Sequence, residues 1–198
     1  MRSGSQVADF VLNYLKELDG LNRSVLEKKL HTIRWAAPIG PIVKINFDAA
    51  FNSQKRESCS GLVVRNEKGE VICSGTILNV NIPLTFATEV TMCFQALDLG
   101  IQLGLSEVEV EGDSWTVIRK LQEEKKDRSE IAALIKDSKH QSLSIRYCVF
   151  HFIYRDSNKV THFIVTEGLK KGETIYLMNR VPPGLRPWWM RSGGGRST

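Results

Sequence analysis

The chain contains no Cys-x-x-Cys pair, no apolar run long enough to cross a bilayer, and no acidic residue beyond Met178. Each absence removes a class of function. Cys59, Cys73, Cys93 and Cys148 are scattered among apolar neighbours, which argues against a zinc site and for buried, reduced thiols in a reducing interior. Without a spanning run, no membrane role is expected. The N-terminus lacks the basic start, apolar stretch and small-residue cleavage site of a signal peptide, and Asp9, Glu17 and Asp19 fit a transit peptide poorly. The expected setting is intracellular, cytosol or nucleus.

The net charge of +5 points to nucleic acid less directly than it first suggests. Arg180, Arg186, Arg191 and Arg196 give residues 179–198 a charge of +4, and subtracting this from +5 leaves +1 for residues 1–178. Attraction for phosphate must therefore come from local patches.

A length of 198 residues with 42% hydrophobic content suits one domain with extensions. Residues 7–19 have the spacing of a short amphipathic helix, and 1–40 is expected to be an extension or linker. Strands are predicted at 42–52, 61–66 and 70–78, the last two joined by the turn Asn66-Glu67-Lys68-Gly69. From Thr85 the period changes to a helix with Phe86, Val90, Phe94, Leu97 and Ile101 on one stripe, capped by Thr85 and ended by Gly104. The alternating Glu107-Val108-Glu109-Val110-Glu111 is a strand, followed by helices from about 114 to 122 and 129 to 139. A strand over 145–152 and a helix over 157–169 complete the domain, set at 41–172. The order predicts an α/β fold: an antiparallel meander plus parallel strands in a mixed five-stranded sheet flanked by helices. The tail, 173–198, lacks periodicity and is expected to be disordered.

Three acids stand in distinctive frames: Asp48 at the end of Lys44-Ile45-Asn46-Phe47-Asp48, Glu89 early in a helix, and Asp113 where a strand hands over to a helix. Read alone, Glu89 could be a solvated helix residue, and Asp113 could serve as the N-cap of the helix after it. Carboxylates drawn together from separate elements repel one another unless cations neutralise them. Hard divalent ions such as Mg²⁺ take oxygen ligands and use a few carboxylates plus substrate phosphate. If the three converge, metal-assisted phosphodiester chemistry is the expected use.

The element order and these acids resemble the type 1 ribonuclease H fold. The resemblance is closer to its plant branch, whose domains are similar to the C-terminal part of non-LTR retroelement reverse transcriptases. It rests on Trp35 with its proline-containing link to Lys44–Phe51, on the hairpin Gly61–Gly69, on Ala87-Thr88-Glu89 and Glu111-Gly112-Asp113-Ser114, and on Tyr154–His162. It covers about residues 35–170. It implies a ribonuclease H-like nuclease that cuts the RNA strand of an RNA–DNA hybrid with two Mg²⁺ ions, or Mn²⁺, held by Asp48, Glu89 and Asp113.

The chain departs from the family's catalytic pattern in two ways. The fourth acid of the family appears here as His162, a poorer partner for Mg²⁺, so reduced activity is expected. The substrate-positioning histidine loop of many bacterial relatives is missing. Candidate contacts to the hybrid are Asn52, Lys55, Arg56 and Ser60, with Arg119 and Lys120 a weaker choice. Trp188-Trp189 could stack on bases. A catalytically inactive, retroelement-derived nucleic-acid-binding domain is the main competing expectation, and a protein-interaction module is a third.

Overall fold

The computed structural model describes residues 35–80, 85–124 and 128–185. The helix expected over 7–19 and the Trp188-Trp189 pair lie outside them. Within them the order is β1 (Val43–Asn52), β2 (Glu57–Arg65), β3 (Val71–Asn79), α1 (Thr85–Gln102), β4 (Glu107–Gly112), α2 (Trp115–Gln122), α3 (Ala132–Ser142), β5 (Tyr147–Phe152), α4 (Lys159–Lys171) and β6 (Ile175–Met178). Among these residues no helix is long and apolar enough to cross a membrane.

The strands form one sheet in the order β5-β4-β1-β2-β3-β6. Short connections make β1, β2 and β3 antiparallel, whereas helical crossovers place β4 parallel to β1 and β5 parallel to β4. The β2–β3 hairpin closes where the sequence indicates it should. The Asn66 side-chain oxygen accepts the amides of Lys68 and Glu70 at 3.0 and 2.9 Å, and Gly69 N–H bonds back to the Asn66 carbonyl at 2.9 Å.

Two differences from expectation concern the ends. The sheet has six strands, not five: residues expected in the tail supply β6, antiparallel to β3. Four alternating residues in a short segment carry little period, so this strand is defined by its partner. Side chains of β3 fasten the segment, with Ser74 Oγ donating to the Arg180 carbonyl at 2.7 Å and Thr76 Oγ1 to that of Glu173 at 3.1 Å. Leu185 is buried beside Val63 and Ile164. At the other end, the Trp35 ring lies 4.2 Å from the Arg65 guanidinium and 5.8 Å from Lys44 Nζ, so the packed domain begins before residue 41.

One sheet face carries the main core. Ile45, Phe47, Leu62, Val64, Val108, Val110 and Phe150 meet Val90, Cys93 and Leu97 of α1, with Val117, Ile118 and Ile135 from α2 and α3. The other face receives α4 on β1, β2 and β3. Gly61 makes that approach possible: a Cβ there would stand 2.2 Å from Val165 Cγ1 and 3.3 Å from the Val165 amide. Asp48 is the register partner of Gly61, so the chain brings α4 closest beside the acid.

Glu111 also departs from a simple alternating strand with solvated glutamates. It is buried, accepting Lys44 Nζ at 2.7 Å and Asn46 Nδ2 at 2.7 Å, which ties β4 to β1 just before Asp113. Arg65 is buried next to this pair, and desolvation lowers its pKa to about 10 against the opposing pull of Glu111.

Candidate active site

Asp48 lies in central strand β1 and is 8% exposed. Both of its oxygens have donors. Oδ1 accepts the Ala49 amide at 2.8 Å, and Oδ2 lies 2.8 Å from His162 Nδ1 in the first turn of α4. An ionised carboxylate can only accept, so the shared hydrogen belongs to Nδ1. The helix that carries His162 is held in place by Asn158, whose Nδ2 donates to the Phe47 carbonyl at 2.8 Å.

Glu89 lies in α1, and Asp113 follows the last residue of β4. Burial raises the pKa of all three carboxyls, and they act on one another. For Asp48, burial is opposed by the hydrogen bonds from His162 and Ala49, then by nearby positive charge that includes Arg155. For Glu89, burial is opposed by a hydrogen bond from Ser114, and the charge of Asp48 raises the pKa further. Asp113 is pushed up to about 6 by burial and by Asp48, with Arg155 opposing and Glu89 adding to the rise. The three acids that the sequence sets apart therefore share one electrostatic neighbourhood.

This corrects the capping expectation. Asp113 does not cap α2; the N-cap is Ser114, which makes no side-chain capping bond and instead hydrogen-bonds Glu89. The strand-to-helix junction thus spends its polar side chains on the acidic cluster. Gly112 lets this junction lie against the core, since a Cβ there would be 2.4 Å from Phe47 Cζ.

The candidate hybrid contacts divide. Asn52 ends β1, and its side-chain oxygen accepts the amides of Gln54 and Lys55 at 3.1 and 3.2 Å, shaping the turn. That turn exposes Lys55 and Arg56, with Arg56 in the left-handed region at φ 53°. Ser60 is a correction: it is fully buried, and its hydroxyl accepts Asn79 Nδ2 at 2.9 Å, so it has no open face for a ligand. Its strand neighbours Ser58 and Leu62 are buried as well, because α1 covers that part of the sheet, with Gln95 donating to Asn79 at 2.9 Å. Arg119 is paired with Glu123 at 2.7 Å.

Sequence reasoning overlooked Arg155, an exposed residue in the turn before α4. Its Nη2 lies 3.2 Å from Nδ1 and 3.0 Å from Nε2 of His162. A single exposed arginine in a turn carries no periodic signal, and only its place inside the Tyr154–His162 segment could have drawn attention to it. Next to it, Tyr154, Phe152 and Trp115 form an edge-on aromatic row with centroids 5.4 Å apart.

Among the described residues, no group of three or more His, Cys, Asp or Glu side chains is already arranged to hold a metal ion. The donor set nevertheless suits one in kind: desolvated carboxylates that raise each other's pKa gain most from a hard divalent cation. A titration follows from the raised Asp113 value. An acid whose folded pKa exceeds its unfolded one keeps its proton longer when folded, so its contribution to stability is intact at low pH and is lost as pH rises. In EDTA, native protein and Asp113→Asn should melt together below about pH 4, and the native protein should fall below the variant as pH rises from there to about 6, then stay below it. Parallel melting curves from pH 4 to 8 would contradict the raised value.

A family model described as reverse transcriptase-like matches residues 46–168. The chain belongs to the reverse transcriptase-like family. Its domain has the ribonuclease H-like fold, as three solved structures illustrate. RNase H1 from Halobacterium salinarum superposes with a TM-score of 0.61 at 17% identity, covering 66% of this chain and 98% of that one. LC11-RNase H1, isolated from compost and solved in complex with an RNA/DNA hybrid, gives 0.57 at 22% identity, covering 66% and 98%. The foamy viral protease-reverse transcriptase, also in complex with an RNA/DNA hybrid, gives 0.52 at 17% identity, covering 70% of this chain and 20% of that one. No curated protein matches the chain.

Proposed function

We propose that this reverse transcriptase-like domain is a metal-dependent endonuclease that hydrolyses the RNA strand of RNA–DNA hybrids, with reduced activity in Mg²⁺. The observation that carries the reading is the electrostatic coupling of Asp48, Glu89 and Asp113 beside the central strand. The same fold in proteins solved with RNA/DNA hybrid supports the substrate class.

Asp48, Glu89 and Asp113 would hold two divalent ions, Mg²⁺ or Mn²⁺. When bound, such ions supply activation of the attacking water and neutralisation of charge on the leaving oxygen. The protein's own part is placement. Burial holds Asp48 rigidly on β1, Ser114 orients Glu89, and His162 fixes the second oxygen of Asp48. Lys55 and Arg56 offer positive charge to backbone phosphate, and Asn52 organises the turn that presents them. The plant-branch, retroelement-derived origin belongs to this reading as well.

The first test is cleavage of a hybrid labelled on its RNA strand, with turnover expected to be higher in Mn²⁺ than in Mg²⁺ because imidazole suits the softer ion. Replacing His162 by aspartate restores a fourth negative oxygen donor, and Mg²⁺-dependent turnover should rise several-fold. No change in turnover would place His162 outside the metal shell.

A second reading, a nucleic-acid-binding domain without turnover, is favoured by one observation: His162 and Ala49 already occupy both oxygens of Asp48. Hybrid binding with no cleavage in either metal would establish it.

A further inference from the structure

Arg155 is an exposed cation beside the acidic cluster. It sits in the tight turn that joins β5 to α4, where Ser157 N–H bonds to the Tyr154 carbonyl at 2.8 Å and Asn158 N–H to that of Arg155 at 3.0 Å. Asn158 anchors the end of this turn to β1 through the Phe47 carbonyl. The neighbouring Asp156 pairs with Lys159 at 3.0 Å.

The contact with His162 favours neither ring nitrogen. A hydrogen bond directed at one ring nitrogen would be clearly shorter to that atom, yet Nη2 is 3.2 Å from Nδ1 and 3.0 Å from Nε2. Nη2 therefore sits between the two ring nitrogens, in line with neither lone pair, a loose contact for a weakly hydrated cation. Through His162 it is linked to Asp48 Oδ2, and its charge is felt by Asp48 and by Asp113.

We propose that Arg155 is a resident counter-cation that opposes divalent-ion loading of the acidic cluster and is drawn away by a backbone phosphate, so that nucleic-acid binding and metal loading are coupled. This rests on the reading of Asp48, Glu89 and Asp113 as metal ligands. A guanidinium and a divalent ion repel each other, so both cannot neutralise the same carboxylates at full strength. A phosphodiester presents paired oxygens that match the guanidinium fork better than the two imidazole nitrogens do.

The full chain and Arg155→Ala are compared in two measurements that need no turnover. Free Mn²⁺ is followed by electron paramagnetic resonance without nucleic acid, and hybrid affinity by fluorescence anisotropy in EDTA. The variant should bind Mn²⁺ roughly tenfold more tightly, as expected for removal of one nearby positive charge. It should also bind the hybrid several-fold more weakly, and Arg155→Lys should stay nearer to the native protein in the Mn²⁺ measurement. A merely structural role would weaken both affinities or neither. Unchanged or weaker Mn²⁺ binding by Arg155→Ala overturns the proposal, and unchanged hybrid affinity overturns the coupling. Asp48→Asn that keeps native Mn²⁺ affinity, or a native chain that ignores the hybrid, would overturn the site assignment beneath it.

Discussion

Asp48→Asn is expected to lower divalent-dependent cleavage of the RNA strand by roughly three orders of magnitude or more, the scale of losing several kcal/mol of metal-based charge stabilisation. The substitution is nearly isosteric. The amide carbonyl can still accept from His162 Nδ1–H or from the Ala49 amide, which meet the carboxylate at 2.8 Å each. What it removes is the buried charge that raises the pKa of Glu89 and Asp113. Thermal stability in EDTA near pH 7 should therefore stay level or rise while activity collapses. This opposite movement separates lost chemistry from misfolding. Cleavage that survives the substitution would remove Asp48 from the active centre.

Phe47→Ala should reduce folding stability by about 3–5 kcal/mol, the range for truncating a buried aromatic side chain. Phe47 is 2% exposed and lies in the main core cluster. Its ring meets the backbone at Gly112, where a Cβ would lie 2.4 Å from Cζ, and its carbonyl accepts Asn158 Nδ2. One residue thus braces the strand holding Asp48, the junction before Asp113 and the turn before His162. Removing the ring opens space directly under the junction, which has no side chain at Gly112 to refill it. Urea unfolding followed by fluorescence provides the measurement, and a loss below about 1 kcal/mol would show that the surroundings collapse into the space.

The features read correctly from the chain are those that local periodicity encodes. The alternation around Ile45 and Phe47, the turn at Asn66–Gly69, and the change of period at α1 appear in the structure within a few residues. The three acids stood out by their local frames and by the family resemblance, since periodicity alone leaves Glu89 an ordinary helix residue and Asp48 one of the polar positions of β1. Other features needed a partner. Residues 175–178 have no character of their own as a strand until β3 supplies one. Ser60 stands among the candidate hybrid contacts in the sequence, but Asn79 and α1 close over it. Asp113 has the composition of a cap, yet Ser114 holds that position and turns its hydroxyl to Glu89.

The order of elements, the hairpin and the identity of the acids followed from neighbours along the chain, because hydrophobic period and turn chemistry act over a few residues. Which groups meet is a different matter. His162 reaches Asp48 across 114 positions, and Asn158 reaches the Phe47 carbonyl across 111. Such contacts depend on how closely α4 settles on the sheet, which the absence of a side chain at Gly61 permits but does not announce. Tertiary packing alone decided that Arg155 joins the acids, because an exposed charge satisfies water in any turn and acquires a specific partner only when the folded chain brings one to it.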